Sequence, residues 1–439
     1  MKKSTTILSA ISLAFGAFSQ EPCATGRFSS DVYPNVTVTS NITYGSNLNF
    51  NGSTKTLKLD FYEPTGDTMA KRPLIVWVHA GSFLGGTKTD GDMVALATSF
   101  AKKGYACASI DYRTGFFPID SVNSVKAVMR AVHDLKGAVR FFYKDQADQI
   151  DQFQIDTNNI FIGGTSAGAI TALHYAYLDR TCEINPYVNQ TALNLIGGLE
   201  GISGNPCYGT DVKGVINLCG ALASYSWLEA GNVPVCSMHG TVDGTVKYSR
   251  GIVNPGVPLM YLDGSRMIHE RAQAENVSSV FYTWYGADHD PFAGTSPTAL
   301  AYMDTTINFV RDFLIGQLGC SNSILQAENA PFGAASLYAY TPCSANVPYN
   351  DCTALALNEQ VETRSTLYPN PSDGSFEIEL GSVENFTVEI VDLSGRVHAL
   401  KTDKTGHMHF DNLSLTKGMY IVRISNERGN IETIKVLIK

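Results

Sequence analysis

The spacing of apolar and polar residues changes character along the chain, and each change predicts a different kind of element. Residues from about 31 to 62 alternate, as in Leu57-Lys58-Leu59-Asp60-Phe61-Tyr62, which is typical of antiparallel strands at a sheet edge. Continuous apolar runs follow at 74–78, 105–110, 160–162, 215–218, 233–238 and 280–284. Helical patterns separate these runs, and the longest extends from Val125 to Phe142. Buried strands separated by helices predict an α/β domain with a mostly parallel central sheet covered on both faces.

The pattern changes again after a predicted helix at 306–318. Residues 321–366 are rich in Ser, Ala, Asn and Pro without a clear period, which indicates a linker. Short alternating or apolar runs then recur between turn signals, at 376–380, 386–391, 419–424 and 431–438. We therefore predict a first domain over 20–320, a linker over 321–366 and a small β-sandwich over 367–439.

The N-terminus has the features of a secretory signal peptide. Lys2-Lys3 form a basic start, Ile7 to Phe18 form a short apolar core, and Ser19 is a small residue of the kind found at cleavage sites. The run is short for a membrane span, and no later segment is longer and equally apolar. We expect residues 1–19 to be removed and the protein to be exported, without a transmembrane segment.

Composition narrows the choice of partners and compartment. A net charge of −9 argues against nucleic acid as the main partner. Nine cysteines fit an oxidising destination. Three of them, Cys107, Cys219 and Cys236, fall in predicted core strands and are expected to be buried thiols. For the other six we favour the pairs Cys182–Cys207, Cys343–Cys352 and Cys23–Cys320, among fifteen possible connectivities.

The strongest chemical signal lies between Ile160 and Ile170. An apolar run stops at Gly163, and helix-forming residues resume at Ala167. Between them stands Gly164-Thr165-Ser166-Ala167-Gly168, a Gly-x-Ser-x-Gly pentapeptide in the strand–turn–helix context that this motif requires. A tight turn projects the weak serine nucleophile to where a base can reach it. Ser166 is the predicted nucleophile; the alternative is a glycine-rich turn with an incidental serine.

Two later loops supply the partners that such a serine needs. Asp243 follows the run at 233–238, and His289 follows the run at 280–284. Because the carboxyl ends of parallel strands lie on one rim of a sheet, Ser166, Asp243 and His289 are expected to converge. His289 would be the base, and Asp243 would hold its tautomer. The alternatives are an ordinary turn aspartate and a surface histidine.

Other titratable residues are given lesser roles. Asp288 and Asp290 adjoin His289, so neither reaches easily round to the far nitrogen of its ring. His239 precedes a turn and is interpreted as structural. Three further histidines lie on predicted helices and are interpreted as packing or surface residues: His133, His174 and His269.

Hydrogen-bond donors for an oxyanion are expected after the first buried strand. His79-Ala80-Gly81-Ser82-Phe83 follows the run at 74–78. We predict that the backbone N–H groups of Gly81, Ser82 and Ala167 form an oxyanion hole. The alternative is a glycine turn that only connects a strand to a helix.

Residues from about Thr54 to Leu318 resemble an α/β-hydrolase of the carboxylesterase and lipase type. The segments that carry the resemblance are His79-Ala80-Gly81-Ser82-Phe83, Asp111-Tyr112-Arg113, Gly164-Thr165-Ser166-Ala167-Gly168, His239-Gly240-Thr241-Val242-Asp243 and Gly286-Ala287-Asp288-His289. It implies the α/β-hydrolase fold and ester hydrolysis with no cofactor or metal, and a scaffold role for Asp111-Tyr112-Arg113. The chain departs from the family at Ala80 and Ser82, where glycines are usual.

Residues 367–439 resemble a type A sorting domain of the type IX secretion system. The segments that carry this resemblance are Leu367-Tyr368-Pro369-Asn370-Pro371, Asp392-Leu393-Ser394-Gly395-Arg396, Leu415-Thr416-Lys417-Gly418-Met419-Tyr420 and the basic end Lys435–Lys439. It implies the type IX machinery as a partner, export across both membranes and removal of the domain. Release and attachment at the outer cell surface both stay open. The alternative is a carbohydrate-binding or spacer sandwich, for which we find no cluster of exposed aromatic residues.

These observations lead to the hypothesis of a secreted serine hydrolase that cleaves carboxylic esters of small molecules or polymers. A peptidase or amidase on the same fold is one alternative, because a triad does not specify the leaving group. A catalytically silent surface-binding protein is another. The stretch Gly220–Pro234 is too short for a large lid, so we expect an open site, with the insertion Asp179–Asp211 along one side.

Overall fold

The computed structural model describes residues 22–148, 150–320, 333, 337–340, 365–380, 386–392, 396–403, 406–411, 413–426 and 431–439. The predicted signal peptide, most of the predicted linker and the proposed Cys343–Cys352 pair lie outside these residues. The chain divides into two compact units, Met1–Asn350 and Asp351–Lys439.

An eight-stranded sheet forms the centre of the first unit. Numbered in chain order, its strands are β1 (Val36–Leu48), β2 (Thr54–Pro64), β3 (Arg72–Val78), β4 (Ala106–Ile110), β5 (Ile155–Thr165), β6 (Gly214–Leu218), β8 (Val235–Gly240) and β11 (Ser279–Trp284). Their spatial order is β1-β2-β4-β3-β5-β6-β8-β11. The alternating strands β1 and β2 pair antiparallel at one edge, β2 joins β4 antiparallel, and all later pairs are parallel. The predicted mostly parallel sheet with antiparallel edge strands is confirmed.

Helices cover both faces of this sheet. They are α1 (Gly91–Lys102), α2 (Ser121–Ala147), α3 (Ala167–Tyr177), α4 (Thr181–Ile184), α5 (Gln190–Leu195), α6 (Ser265–Ala274) and α7 (Pro297–Gln317), with 3₁₀ turns at Pro22–Thr25 and Tyr225–Trp227. Successive side chains of β3 enter different cores, as the period of a strand requires. Leu74, Val76 and Val78 pack in one core with residues of α2 and α3, whereas Ile75 and Trp77 pack in another with residues of α1 and α7. No helix of the described residues is long and apolar enough to cross a membrane.

A small three-stranded sheet stands beside the central one. It is formed by β7 (Ala221–Leu222), β9 (Arg250–Ile252) and β10 (Tyr261–Gly264) in the order β7-β10-β9. Part of the predicted linker packs against it: the hydroxyl of Tyr338 donates to Asp263 Oδ2 at 2.7 Å, and Arg250 lies 4.3 Å from the centre of the Tyr338 ring.

The second unit is built from two antiparallel sheets. One has the order β12-β13-β16 and the other β15-β14-β17-β18. The strands are β12 (Thr366–Tyr368), β13 (Phe376–Glu379), β14 (Phe386–Val391), β15 (Val397–Asp403), β16 (His407–Phe410), β17 (Gly418–Asn426) and β18 (Ile431–Ile438). Both sheets contribute to one apolar core, which includes Ile378, Met408, Val388 and Val422. This is the predicted small β-sandwich.

The cysteines follow the predictions only in part. The disulfide Cys23–Cys320 is present and joins positions 297 residues apart in sequence. The three strand cysteines Cys107, Cys219 and Cys236 are buried thiols, as predicted. The expected Cys182–Cys207 pair is wrong, because Cys182 is in a disulfide whereas Cys207 keeps its thiol.

Candidate active site

The sharp turn at Ser166 is imposed by the way two elements meet. β5 ends at Thr165, α3 begins at Ala167, and Ser166 between them has φ 53° and ψ −113°. A positive φ is strained in a residue other than glycine, and such strain is common at functional sites. The glycines on either side allow the turn to pack on β3, because a Cβ atom at Gly164 or Gly168 would lie 2.2 or 1.9 Å from the carbonyl oxygen of Val78.

His289 lies within hydrogen-bonding distance of both predicted partners. Its Nδ1 is 2.7 Å from Asp243 Oδ2, and its Nε2 is 2.8 Å from Ser166 Oγ. Since a carboxylate only accepts, Nδ1 carries the proton and Nε2 accepts from the serine hydroxyl. The three side chains come from loops after β5, β8 and β11, so the structure brings together the residues expected at one rim of the sheet.

The carboxylate of Asp243 is buried and fully supplied with donors. Oδ1 accepts from the backbone N–H groups of Thr245 and Val246 at 2.9 and 2.8 Å. Oδ2 accepts from His289 and lies 3.1 Å from His239 Nε2. Burial alone would raise the pKa of Asp243, but the bonds from His239 and His289 outweigh it and hold the pKa well below its usual range. Asp243 is therefore charged and oriented.

The electrostatic surroundings of His289 suit a base. Burial lowers the pKa of His289, but the hydrogen bond and the charge of Asp243, with the charges of Asp290 and Asp288, outweigh burial. The net result is a pKa raised above its ordinary value of 6.5. The site thus stabilises a proton on His289 more than water does.

The two aspartates next to His289 have other surroundings. Oδ1 of Asp288 accepts from the backbone N–H groups of Gly244 and His289, each at 2.8 Å, which ties the two loops together. The bond from Gly244 is the main cause that lowers the pKa of Asp288. Burial raises the pKa of Asp290. The N–H of the His289 ring donates to the carboxylate of Asp243 and not to either of these neighbours.

The predicted oxyanion loop passes close to the serine. Gly81, Ser82 and Phe83 have φ values of 105°, 55° and 61°, and a Cβ atom at Gly81 would lie 2.3 Å from the carbonyl oxygen of Gly85. Ser82 and Ala167 line the same cleft as Ser166, whereas Gly81 does not. In the described part of the chain, no backbone hydrogen bond uses the N–H of Ser82 or Ala167. These two donors are oriented by turns, and no backbone acceptor among the described residues pairs with them.

Tyr112 packs against the start of this loop. Its ring stacks on His79 with centroids 4.2 Å apart, and its hydroxyl lies 3.2 Å from the carbonyl oxygen of His79. The adjacent Arg113 is buried and paired with Asp134, whose carboxylate it meets at 2.8 Å. These contacts give Asp111-Tyr112-Arg113 the surroundings of a scaffold element.

An apolar cleft opens beside Ser166. Its walls are mostly aliphatic: α2 supplies Val125, Val128 and Met129, the segment after Asp243 supplies Val246, Val253, Leu259 and Leu262, and α4 and the loop after it supply Ile184 and Tyr187. The insertion Asp179–Asp211 thus lies along one side of the cleft. His174, on α3, also faces it.

One group among the described residues has the donor set of a metal site. Ligand atoms of Cys219, Asp243 and His289 lie within 4.8 Å of one another. Both ring nitrogens of His289 are already engaged by Ser166 and Asp243, so a metal ion would have to replace those hydrogen bonds. Burial raises the pKa of the Cys219 thiol well above its ordinary value, which disfavours the thiolate that metals bind. The arrangement is suited to proton transfer.

Comparisons with known families match both units. Residues 59–195 match the BD-FAE family, and residues 366–439 match the secretion system C-terminal sorting domain. An esterase-like α/β-hydrolase domain and a C-terminal sorting domain are both present in the chain. The sorting domain indicates secretion or placement at the cell surface.

Individual relatives match this chain over a limited part of their length. Carboxylesterase 3B of Mus musculus is 34% identical over 116 residues, which are 26% of this chain and 19% of that protein. Lipase 2 of Geotrichum candidum is 27% identical over 124 residues, 27% of this chain and 21% of that protein. The chain therefore spans about a fifth of each relative. Among solved structures, Thermogutta terrifontis esterase 2 phosphorylated by paraoxon has 20% identity and a TM-score of 0.47, covering 64% of this chain and 94% of that one.

Three features of the candidate site were not predicted. His239 was interpreted as structural, yet it contacts the buried oxygen of Asp243. His174 was assigned to packing or to the surface, yet it lines the cleft. The cleft residues between Val253 and Leu262 had no local signal, because they reach the serine only through the tertiary fold. For His174 a signal existed: it lies on α3, the helix that begins directly after Ser166, and it is eight residues, or about two turns, beyond that serine.

Proposed function

We propose that the protein is a secreted serine hydrolase that cleaves carboxylic esters through an acyl-enzyme. The observation that carries this proposal is the pair of hydrogen bonds made by His289, at 2.8 Å to Ser166 and 2.7 Å to Asp243. A nucleophile bonded to a base, and that base oriented by a third group, is the arrangement that activates a serine. The match to the BD-FAE family ends at residue 195, so it includes Ser166 but neither partner.

The proposed first half of the reaction transfers the acyl group to the enzyme. Ser166 Oγ attacks the ester carbonyl carbon while its proton passes to His289 Nε2. The carbonyl oxygen becomes negatively charged and accepts hydrogen bonds from the N–H groups of Ser82 and Ala167, with Gly81 as the third predicted donor. His289 then gives the proton to the departing alcohol oxygen, and the carbon–oxygen bond breaks.

The second half returns the enzyme to its starting state. Water attacks the acyl carbon and gives a proton to His289 Nε2, after which the ester bond to Ser166 breaks and Oγ recovers that proton. Asp243 keeps the Nδ1–H tautomer throughout and stabilises the imidazolium in both halves. No step requires a cofactor or metal ion.

Two experiments, labelling with an activity probe and a comparison of substrates, distinguish this proposal from two alternatives. The first alternative is an amidase or peptidase, which would use the same triad on an amide, whose amine is a poorer leaving group. The second is a binding protein without catalytic activity that the sorting domain places at the cell surface. A fluorophosphonate probe is expected to label Ser166, as peptide mass spectrometry would show, and purified protein is expected to hydrolyse esters faster than the matching amides. Absence of labelling favours the binding protein, and faster turnover of amides favours the amidase.

The raised pKa of His289 leads to a prediction for the pH dependence of activity. Only the neutral imidazole can accept the Ser166 proton, so kcat/KM is expected to rise with pH as His289 deprotonates, with a midpoint above 6.5. A profile of kcat/KM between pH 5 and about 9 measures this midpoint. Because the charge of Asp243 raises the pKa, the residual activity of Asp243→Asn is expected to show a lower midpoint. Equal midpoints in the two proteins would contradict the assignment.

A further inference from the structure

A chain of buried hydrogen bonds leads from the interior of the first unit to Asp243. Asn217 on β6, His239 on β8 and Ser265 at the start of α6 have no exposed surface. Oδ1 of Asn217 accepts from the backbone N–H of Gly220 at 2.9 Å, which fixes the orientation of the amide. Nδ2 of Asn217 lies 2.9 Å from Ser265 Oγ, and an amide nitrogen can only donate.

The direction of this chain determines which nitrogen of His239 carries the proton. Because Ser265 Oγ accepts from Asn217, its own proton is available for His239 Nδ1, which lies 2.7 Å away. On the other side of the ring, Nε2 lies 2.9 Å from the carbonyl oxygen of Val246 and 3.1 Å from Asp243 Oδ2. Both of these atoms only accept, so Nε2 carries the proton and shares it between them.

His239 and His289 therefore donate to the same carboxylate oxygen. Oδ2 of Asp243 lies 2.7 Å from His289 Nδ1 and 3.1 Å from His239 Nε2. A hydrogen bond to a carboxylate stabilises its negative charge and lowers its affinity for a proton. The bond from His239 thus reduces the share of that charge which acts on His289.

We propose that His239 is a positioning residue that limits how strongly Asp243 stabilises the imidazolium of His289. The inference rests on the proposed ester hydrolysis, in which His289 is the base. With His239 in place, the base loses its proton at a lower pH than it would with Asp243 alone, so more of it is ready to accept from Ser166. The buried chain behind His239 contributes by fixing the tautomer that donates.

Further charged or titratable groups among the described residues face these side chains from the neighbouring loops: Asp288, Asp290, Lys247, Cys219 and Tyr248. The charges of the two aspartates raise the pKa of His289, and burial raises the pKa of the Cys219 thiol. The ammonium of Lys247 donates to the backbone carbonyl oxygen of Asp243 at 3.3 Å. All of these groups are kept in the variants that follow, so a difference between the proteins reports on the bond from His239.

Replacement of His239 with leucine tests this role through the pH profile of kcat/KM. Leucine fills the space but cannot donate, so the full charge of Asp243 acts on His289. The midpoint of the profile is expected to rise by about 0.5 to 1 pH unit, since hydrogen bonds to charged groups have energies that correspond to pKa changes of this order. The shift is opposite in direction to the one expected for Asp243→Asn. A purely structural role of His239 would lower kcat without raising the midpoint.

Three further variants connect the shift to individual hydrogen bonds. A glutamine in His239→Gln has a donor and an acceptor on one carbon, as the imidazole has around Cε1, so the midpoint is expected to return towards the wild-type value. Ser265→Ala removes the donor to His239 Nδ1 and is expected to give a smaller shift in the same direction as His239→Leu. Ser237→Ala is the matched control. Among the described residues, the Ser237 hydroxyl bonds to Asn217 at 2.9 Å and not to His239, so the midpoint should not move.

An NMR titration distinguishes a failure of this inference from a failure of the proposed function. With isotope-labelled histidine, and with the His289 signal assigned by its loss in His289→Ala, the pKa of His289 is measured without a substrate. A higher pKa of His289 in His239→Leu than in the wild-type protein supports the role of His239. An equal or lower pKa overturns it, even if esters are hydrolysed, and so does a shift in Ser237→Ala as large as that in His239→Leu. If no ester is hydrolysed but the pKa rises as expected, the proposed function fails and the coupling between the two histidines stands.

Discussion

Replacement of Ser166 with alanine is expected to lower kcat for ester hydrolysis by roughly 10⁶, because the members of a triad act as a unit and the nucleophile has no substitute. The change removes only the oxygen that lies 2.8 Å from His289 Nε2. The fold should persist, since the turn at this position depends on Gly164 and Gly168 and not on the hydroxyl. Initial rates with an activated ester, measured next to a thermal unfolding curve, check both statements.

Thr171→Val is a matched control for that experiment. Thr171 lies on α3, the helix that follows Ser166, and its hydroxyl donates to the carbonyl oxygen of Ala167 at 2.8 Å. This variant also removes one hydroxyl group from the region, but it touches none of the proposed catalytic atoms, so most of the activity should remain. Substantial hydrolysis by a well-folded Ser166→Ala protein would show that another group is the nucleophile.

Replacement of Asp243 with asparagine is expected to lower kcat by about 10⁴, because an amide in its place stabilises the wrong tautomer of the base. Oδ2 of Asp243 accepts from His289 Nδ1. An asparagine NH₂ in the position of Oδ2 would donate to Nδ1 instead, which favours the tautomer with its proton on Nε2. Nε2 would then be unable to accept from Ser166. Steady-state kinetics at a pH above the midpoint of the wild-type profile give the comparison.

Asp288→Asn and Asp290→Asn are the controls for this second variant. Oδ1 of Asp288 accepts only backbone N–H groups, and an asparagine oxygen can still do so. The charge of Asp290 raises the pKa of His289, but the two ring nitrogens pair with Asp243 and Ser166 instead. Both controls should lose far less activity than Asp243→Asn. An equal loss at Asp288 would show that the acid lies elsewhere.

The sheet and the positions of the three proposed catalytic residues could be predicted from sequence because both depend on local patterns. Apolar runs such as Leu74–Val78 identify buried strands, and residues just after such runs reach one rim of a parallel sheet. The turn at Ser166 packs so closely on β3 that positions 164 and 168 must be glycine. Because these positions are close in sequence, the requirement is visible as a short motif. Ser166, Asp243 and His289 could therefore be named before their distances were known.

The features that were missed depend on contacts between distant parts of the chain. Cys182 was paired with Cys207 because the two are near in sequence, but proximity in sequence is a weak guide to the geometry that a disulfide requires. The wall from Val253 to Leu262 and the linker residue Tyr338 are placed by tertiary packing alone. The contact of His239 with Asp243 is short in sequence, yet only the fold shows that both residues share one buried oxygen.

The disulfide between Cys23 and Cys320 has a consequence for the fate of the protein outside the cell. It closes residues 23–320 into a covalent loop of 298 residues, with the sorting domain attached beyond the loop. A protease that cuts one exposed peptide bond inside the loop opens the ring without releasing a fragment. The strands on either side of the cut stay joined through the bridge, and the loops that bear Ser166, Asp243 and His289 remain in one molecule. Removal of the sorting domain, in contrast, needs a single cut.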